Sequence, residues 1–462
     1  MNFALSDVAA ALGLPAAAEL PLSGVAVDSR AVRPGNLFVA LRGARVDGHD
    51  FAAEALSRGA AAVLAERQPP DVPEGAPVLI VPDSGEGLLR FAGALKRNRG
   101  FRLAAIAGSA GKTTTKEFAA AILAARFRVE KTPGNQNSAI GFPLSVANLP
   151  RVPEWMVGEM GMSTRGEISR LARAFEPDVA TITLIALEHL EFLGSLDGVA
   201  SANAEILEGL KPSGVFVANA DDPRVAAIAS SFSGSVLWFG RSPSADVAVD
   251  RVLPDESGSR FRLNTPAGHA EIHLPLPGAH QVSNFLAASA LAVAAGATAA
   301  DCAIAAPRLR PSSHRGEMRF HGSGALLYDD AYNASPPSMR AALETLRLLP
   351  GRRKIAVLGD MLELGPEDLW WHSETGRYVA GRADRLICVG LRARSIGEGA
   401  REEGFPPEEI RYLETPEQAA NLLDSMLTEG DTVLFKASRG IGLDRAVESL
   451  ARSLTRRAGG AS

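Results

Sequence analysis

A chain of 462 residues exceeds what one ordinary hydrophobic core supports, and at roughly 150 residues per domain it suggests about three. Apolar residues make up 46%, charged residues 22% and aromatics only 6%, which excludes disorder on a large scale and favours an Ala- and Leu-rich α/β enzyme over a β-sandwich. The 48 basic and 53 acidic residues are interspersed and the formal net charge is -5, so general nucleic-acid binding is not expected.

From Gly24 to Val81 short apolar runs alternate with turn signals and a helix pattern at Phe51 to Arg58, giving a small α/β unit expected to end near Arg99. A second unit starts with the apolar run Leu103 to Ala107, passes a Gly-rich turn and enters a helix-forming segment, Thr114 to Ala125. Buried-strand candidates follow at Trp155 to Glu159, Val179 to Ile185 and Gly214 to Ala218, an alternation that a parallel sheet covered by helices explains. The stretch Phe285 to Gly296 falls well short of the ~20 apolar residues a membrane span needs, so it reads as a buried helix and no membrane insertion is expected.

From about Arg308 the pattern restarts, with strands at Ala325 to Asp329, Lys354 to Leu358, Arg385 to Val389 and Thr432 to Lys436 and a helix at Ser338 to Leu349. This predicts a doubly wound, Rossmann-like third domain whose ligands lie beyond the strands' carboxyl ends, where Asp329, Asp330, Gly359, Asp360 and Lys436 fall. The expected partition is 1–99, 100–307 and 308–462. Cys302 and Cys388 are too few for a disulfide framework and lack metal-ligand spacing; they read as packing residues in a reducing compartment. With no secretory pattern at the N-terminus, the expected location is the cytoplasm.

The segment Gly108-Ser109-Ala110-Gly111-Lys112-Thr113-Thr114 follows a buried strand and opens a helix, the context of a phosphate-binding loop. Its glycines let backbone N–H groups approach phosphates and the helix N-terminus favours anions. Lys112 can reach the outer phosphates, and the Thr113 hydroxyl can bind Mg²⁺. The bland alternative is a glycine-rich turn with a solvated lysine. The loop is a shortened variant, because the long form needs Gly at 106, where this chain has Ile106.

This short loop, followed by Lys116 and Glu117, resembles that of the Mur ligase family, in which an ATP-binding domain sits between an N-terminal substrate domain and a C-terminal Rossmann-like domain. The resemblance spans nearly the whole chain. Asp28-Ser29-Arg30 and Asp47-Gly48-His49 look like the family's UDP-sugar-binding sequence, implying roles for Ser29, Arg30, Asp47 and His49. It implies Mg²⁺ ligation by Glu159 in Val157-Gly158-Glu159 and by His189 in Glu188-His189-Leu190-Glu191. It further implies that Asn284 contacts adenine, that Arg315 reaches the ATP phosphates, and that Asp330 in Asp329-Asp330-Ala331-Tyr332-Asn333-Ala334 hydrogen-bonds the ribose.

Third-domain signatures, that one together with Val357-Leu358-Gly359-Asp360-Met361-Leu362-Glu363-Leu364-Gly365 and Lys436-Ala437-Ser438-Arg439-Gly440, resemble the member that adds a dipeptide. They imply a UDP-N-acetylmuramoyl-tripeptide as acid, D-alanyl-D-alanine as amine, ATP and Mg²⁺ as cofactors, and a monomer. The sibling that adds a diamino acid carries D-N-P-R in its third domain, which this chain lacks; Asp221-Asp222-Pro223-Arg224 is only a superficial likeness in the middle domain. One departure stands out. Asn203 occupies the position where the family usually has a carbamylated lysine holding a second Mg²⁺, and an amide does not carbamylate; Lys211 is the alternative if the helix is misaligned. Two rival readings remain at this point: another Mur-like ligase such as a folylpolyglutamate synthase, and a non-catalytic nucleotide-binding relative.

Overall fold

A computed structural model describes residues 2–458 of the chain except 16, 44 and 243, with backbone alone for 452–458. The fold is mixed α/β with parallel sheets, and it divides into two compact units. One comprises Met1–Ala107, Phe127–Ala180 and Ala204–Phe216; the other comprises Gly108–Arg126, Thr181–Asn203 and Val217–Ser462.

In the first unit, four short parallel strands lie in the order Gly24–Ala26, Asn36–Val39, Ala62–Ala65 and Val78–Ile80. Leu37 and Val39 face one core with Val8, Leu64 and Leu88, whereas Phe38 faces the other with Ala52 and Val63. Both faces are therefore buried, as parallel strands require. The helix Ser84–Arg99 is capped by Asp83, which accepts from Glu86 N–H at 2.8 Å, and it ends where Gly100 turns left-handed at φ 69. The predicted helix at Phe51 to Arg58 is Ala52–Ser57, preceded by a 3₁₀ turn, Gly48–Phe51. The same unit carries a parallel trio in the order Val129–Lys131, Trp155–Glu159, Arg102–Ala107.

The second unit holds the helix Lys112–Leu123 and, packed against it, the Ala-rich helix Ala279–Ala294, which takes in all but the last two residues of the apolar stretch Phe285 to Gly296. Three strands, Val247–Asp255, Gly258–Thr265 and Gly268–Leu274, pair antiparallel with one another, outside the all-parallel pattern expected. The C-terminal part forms a six-stranded sheet in the order Glu317–Phe320, Leu326–Asp329, Asp431–Lys436, Arg353–Gly359, Arg385–Val389, Ile410–Leu413. Only the first pair is antiparallel.

Alternation along these strands loads two cores. Ala356, Leu358, Leu386, Cys388 and Leu434 pack with Met339, Leu343, Leu346 and Val379, while Ile355, Val357, Ile387, Val389, Val433 and Phe435 pack with Leu423, Val447 and Leu450. That is the doubly wound arrangement expected. Cys302 and Cys388 are free and buried, and burial raises both thiols, Cys302 to about 11, consistent with packing. Among the described residues no helix is long and apolar enough to cross a membrane.

Candidate active site

The chain leaves the buried strand Arg102–Ala107, turns through Gly108 to Gly111, and starts a helix at Lys112. Two glycines are needed on steric grounds. At Gly108, with φ 127, a Cβ would lie 2.1 Å from Thr183 Oγ1; at Gly111, with φ 81, it would lie 2.3 Å from Asn284 Oδ1. The loop is also tied down by the segment beside it. Ser109 N–H donates to Leu184 O at 2.8 Å, Ala186 N–H donates to Ser109 Oγ at 2.9 Å, and Thr183 Oγ1–H donates to Ala110 O at 2.6 Å.

Lys112 Nζ folds back on Gly108 O and lies 3.3 Å from Glu188 Oε2. Glu188 thus places a carboxylate within ion-pair distance of the lysine. Thr113 and Thr114 are buried in the first turn of the helix. A rigid loop, a helix N-terminus and an ammonium together suit a polyphosphate.

A cleft of about 1020 Å³, counting its open mouth, lies over this loop. Ser109, Ala110, Gly111 and Thr114 line one side, and Asn284 joins them from the helix Ala279–Ala294. Arg315, Asp330 and Lys436 close it from the C-terminal sheet. The fold therefore brings together loop residues with Asn284, Arg315 and Asp330, which stand 173 to 219 residues from Gly111 in sequence.

Asp330 Oδ2 accepts from Lys436 Nζ at 2.6 Å, and the ammonium, itself buried, also donates to Asn333 O at 3.0 Å. The Arg315 guanidinium lies 3.7 Å from the Tyr332 ring centroid. His280 and Gln281 line the cleft without having been singled out as site residues; burial holds the His280 pKa below its ordinary value. Among the described residues His280 Nδ1 and Gln281 Oε1 are buried and find no hydrogen-bond partner, so both have capacity for a ligand. Both stand one turn before Asn284 at the start of the same helix, Ala279–Ala294.

His189 sits in left-handed backbone at φ 49, with Nδ1 2.5 Å from Glu363 Oε2 but off the line of a hydrogen bond. Glu363 is left-handed too, at φ 65, and its carbonyl accepts from Leu190 N–H at 3.1 Å. In the other unit Glu159 ends its strand, is 3% exposed, and accepts from Asn137 Nδ2 at 2.8 Å.

The four residues expected at a UDP-sugar divide by exposure. Arg30 is exposed with its fork on Asp28 at 2.9 and 2.7 Å, holding the Asp28 carboxyl down at about 2. Ser29 is buried and donates to Glu54 Oε2 at 3.1 Å. His49 is fully buried, with Nδ1 2.6 Å from Asp47 Oδ1 and Nε2 accepting from Glu66 N–H at 2.9 Å, so it braces the loop. Asp47 keeps its outer oxygen on Arg67 at 3.1 Å.

Asn203 is 1% exposed; its Oδ1 accepts from Gly108 N–H at 2.6 Å and its Nδ2 donates to Val199 O at 3.0 Å. The amide therefore anchors the start of the phosphate loop. Lys211, the alternative lysine, is occupied by Asp178 at 2.6 Å. Ligation after stripping carbon dioxide at slightly acidic pH is expected to be unchanged by added bicarbonate; an assay in which bicarbonate restored lost activity would require a carbamylated lysine. Asp222 Oδ1 caps the helix Pro223–Ser231 through Arg224 and Val225 N–H at 2.9 and 3.1 Å, which accounts for the Asp-Asp-Pro-Arg stretch without specificity.

Comparison with known proteins agrees with this geometry. Family models described as "Mur ligase family, catalytic domain", "Mur ligase middle domain" and "Mur ligase, glutamate ligase domain" match residues 21–89, 106–292 and 314–439. The chain is 37% identical to the UDP-N-acetylmuramoyl-tripeptide--D-alanyl-D-alanine ligase of Bacillus subtilis, covering 94% of each chain. A crystal structure of MurF from Acinetobacter baumannii superposes with a TM-score of 0.88 at 28% identity, over 98% of this chain and 99% of that one. MurF ligase from Thermotoga maritima, solved in complex with ADP, matches with a TM-score of 0.82 at 30% identity, over 94% and 98%. Since such identity runs almost end to end and each of the three parts matches its own family model, the chain belongs to the Mur ligase family.

Proposed function

We propose that this protein joins D-alanyl-D-alanine to a UDP-N-acetylmuramoyl-tripeptide at the expense of ATP, releasing ADP and phosphate. The observation that carries the reading is the single cleft in which a phosphate loop faces the strand ends of a Rossmann-like sheet. Likeness over the full length to ligases with that activity supports it.

A carboxylate resists attack by an amine because it is anionic and its oxide is an impossible leaving group near neutrality. Transfer of the γ-phosphoryl group to the carboxylate oxygen gives an acyl phosphate and ADP. The amine then attacks the carbonyl carbon, phosphate departs with the C–O bonding pair, and the amine's proton is lost to give the amide. Positioning and charge neutralisation supply most of the acceleration. Lys112 and Arg315 offset charge on the phosphates, backbone N–H groups of Gly108 to Thr114 orient them, Asn284 pairs with the adenine edge, and Asp330 accepts from a ribose hydroxyl.

Mg²⁺ prefers hard oxygen ligands, and two of the side chains assigned to it on the family's pattern fit in kind, the buried carboxylate of Glu159 and the helix-start hydroxyl of Thr113; the third, His189, offers a nitrogen. When bound, the ion would supply charge neutralisation at the phosphates. Ser29, Arg30, Asp47 and His49 are assigned to the UDP-substrate, with His49 acting from beneath the loop it braces. The partition 1–99, 100–307 and 308–462, a cytoplasmic location and a monomeric state complete the reading; the three family-model matches each fall inside one of these parts.

Offered ATP, UDP-muramoyl-tripeptide and equal concentrations of D-alanine, D-alanyl-D-alanine and a diamino acid, the protein is expected to yield only the dipeptide adduct by mass spectrometry. A product carrying a single amino acid would overturn the amine assignment.

A further inference from the structure

The segment from Thr183 to Ala186 is hydrogen-bonded along the phosphate loop, through Thr183 Oγ1–H to Ala110 O, Ser109 N–H to Leu184 O and Ala186 N–H to Ser109 Oγ. Two residues beyond this fixed stretch, Glu188 meets Lys112, with Oε2 3.3 Å from Nζ. The Glu188 side chain is only 14% exposed. Its second oxygen, Oε1, is buried and has no hydrogen-bond partner among the described residues. The backbone turns left-handed at the next residue, His189, at φ 49.

A carboxylate oxygen buried without a donor is costly, and a folded protein retains one for a reason. Lys112 answers for Oε2 alone, and it is the group that a bound polyphosphate would draw toward itself. With nucleotide in the loop, Glu188 would then face phosphates of its own sign across a few ångströms of poorly hydrated space, where like charges repel strongly. A hard divalent cation resolves both problems, because it takes carboxylate and phosphate oxygens together. Asn203 does not serve in its place: its Oδ1 is committed to Gly108 N–H at 2.6 Å, and an amide brings no charge.

We propose that Glu188 is an anionic ligand for the divalent cation that accompanies the nucleotide, offering Oε1 beside Lys112. This rests on the ATP-dependent reading above. Before nucleotide arrives the carboxylate pairs with Lys112. Once the ammonium turns to the phosphates, the cation replaces it as the counter-charge of Glu188, so the exchange never leaves the carboxylate buried and unpaired. Cation and nucleotide are then expected to bind with strong mutual dependence, and the dependence to run through this one side chain.

The test uses Mn²⁺ as probe, read by electron paramagnetic resonance in the full-length protein saturated with ADP, beside calorimetry of ADP alone in chelator. In Glu188→Gln, which keeps the shape and removes the charge, Mn²⁺ affinity is expected to fall by about 10- to 100-fold, with Glu188→Asp recovering part of it. Metal-free ADP is expected to bind the Gln variant at least as tightly as wild type, because a negative charge has gone from beside the phosphates. Glu188→Ala repeats the measurement should the Gln variant fold poorly. Unchanged Mn²⁺ affinity in these variants would reduce Glu188 to a restraint on Lys112 and overturn the proposal. Equal loss of metal-free ADP binding would overturn it too, by making Glu188 a support of the loop. If wild type binds ADP neither with nor without Mn²⁺, the ATP-dependent reading itself falls.

Discussion

Replacing Lys112 by alanine is expected to lower kcat/KM for ligation by at least about 10³-fold, the scale of removing a preorganised charge from a phosphoryl-transfer site. The side chain's present contacts are Gly108 O and Glu188, one at the loop's own backbone and one at a neighbouring carboxylate. Neither belongs to a hydrophobic core, so the thermal midpoint is expected to move by no more than about 2 °C. Phosphate release measured beside a melting curve separates the two effects. Ligation near the wild-type rate would remove Lys112 from the site, and loss of the fold would leave the rate uninterpretable, in which case Lys112→Met, closer in volume, takes its place.

The second large effect is expected from Gly111→Ala. The backbone there has φ 81, and the added Cβ would sit 2.3 Å from Asn284 Oδ1, well inside contact distance. Relief requires either the Asn284 amide to turn away or the loop to shift, and both line the cleft. A single methyl group therefore disturbs the phosphate side and the adenine side together, and ADP affinity is expected to fall by about 100-fold or more. Titration calorimetry with ADP reads this directly. Affinity within about threefold of wild type would mean that the loop adopts another backbone when nucleotide binds.

The parts of this molecule that were legible from sequence are those in which local pattern and tertiary role coincide. Trp155–Glu159 and Arg385–Val389 are continuous apolar runs buried on both faces, and their bounds match the expectation at both ends. The antiparallel strands from Val247 to Leu274 were not anticipated, because they are partly solvated: residues 250–255 are exposed, and Arg251 turns left-handed at φ 52 where the register shifts between Asp250 and Leu253. Charged, bulged strands resemble loops in composition.

The site shows the same division. Gly111, Asn284, Arg315 and Asp330 belong to motifs whose spacing carries chemistry, and the cleft unites them. His49 belongs to an equally suggestive motif, yet its role depends on the Glu66 amide, a neighbour that folding alone provides. For the same reason the approach of His189 to Glu363 and the bond from Gly108 to Asn203 could not be read from either segment by itself.

The paired cores of the C-terminal sheet have a consequence for aim. Val357 and Leu358 are adjacent in the chain yet answer to different helical layers, so a slip of one residue would exchange the two sets on both sides at once. Neither layer tolerates that exchange, and the strands are clamped in register against each other, with Leu358 opposite Lys436 and Asp329 opposite Phe435. Asp330, Asp360 and Lys436 stand at or immediately beyond the ends of those strands. The bearing of each polar group is therefore set by greasy side chains two or three residues behind it, in the way a sight is set by its mount, and a cavity cut into either layer should be felt as misdirection at the ligand before it is felt as loss of the fold.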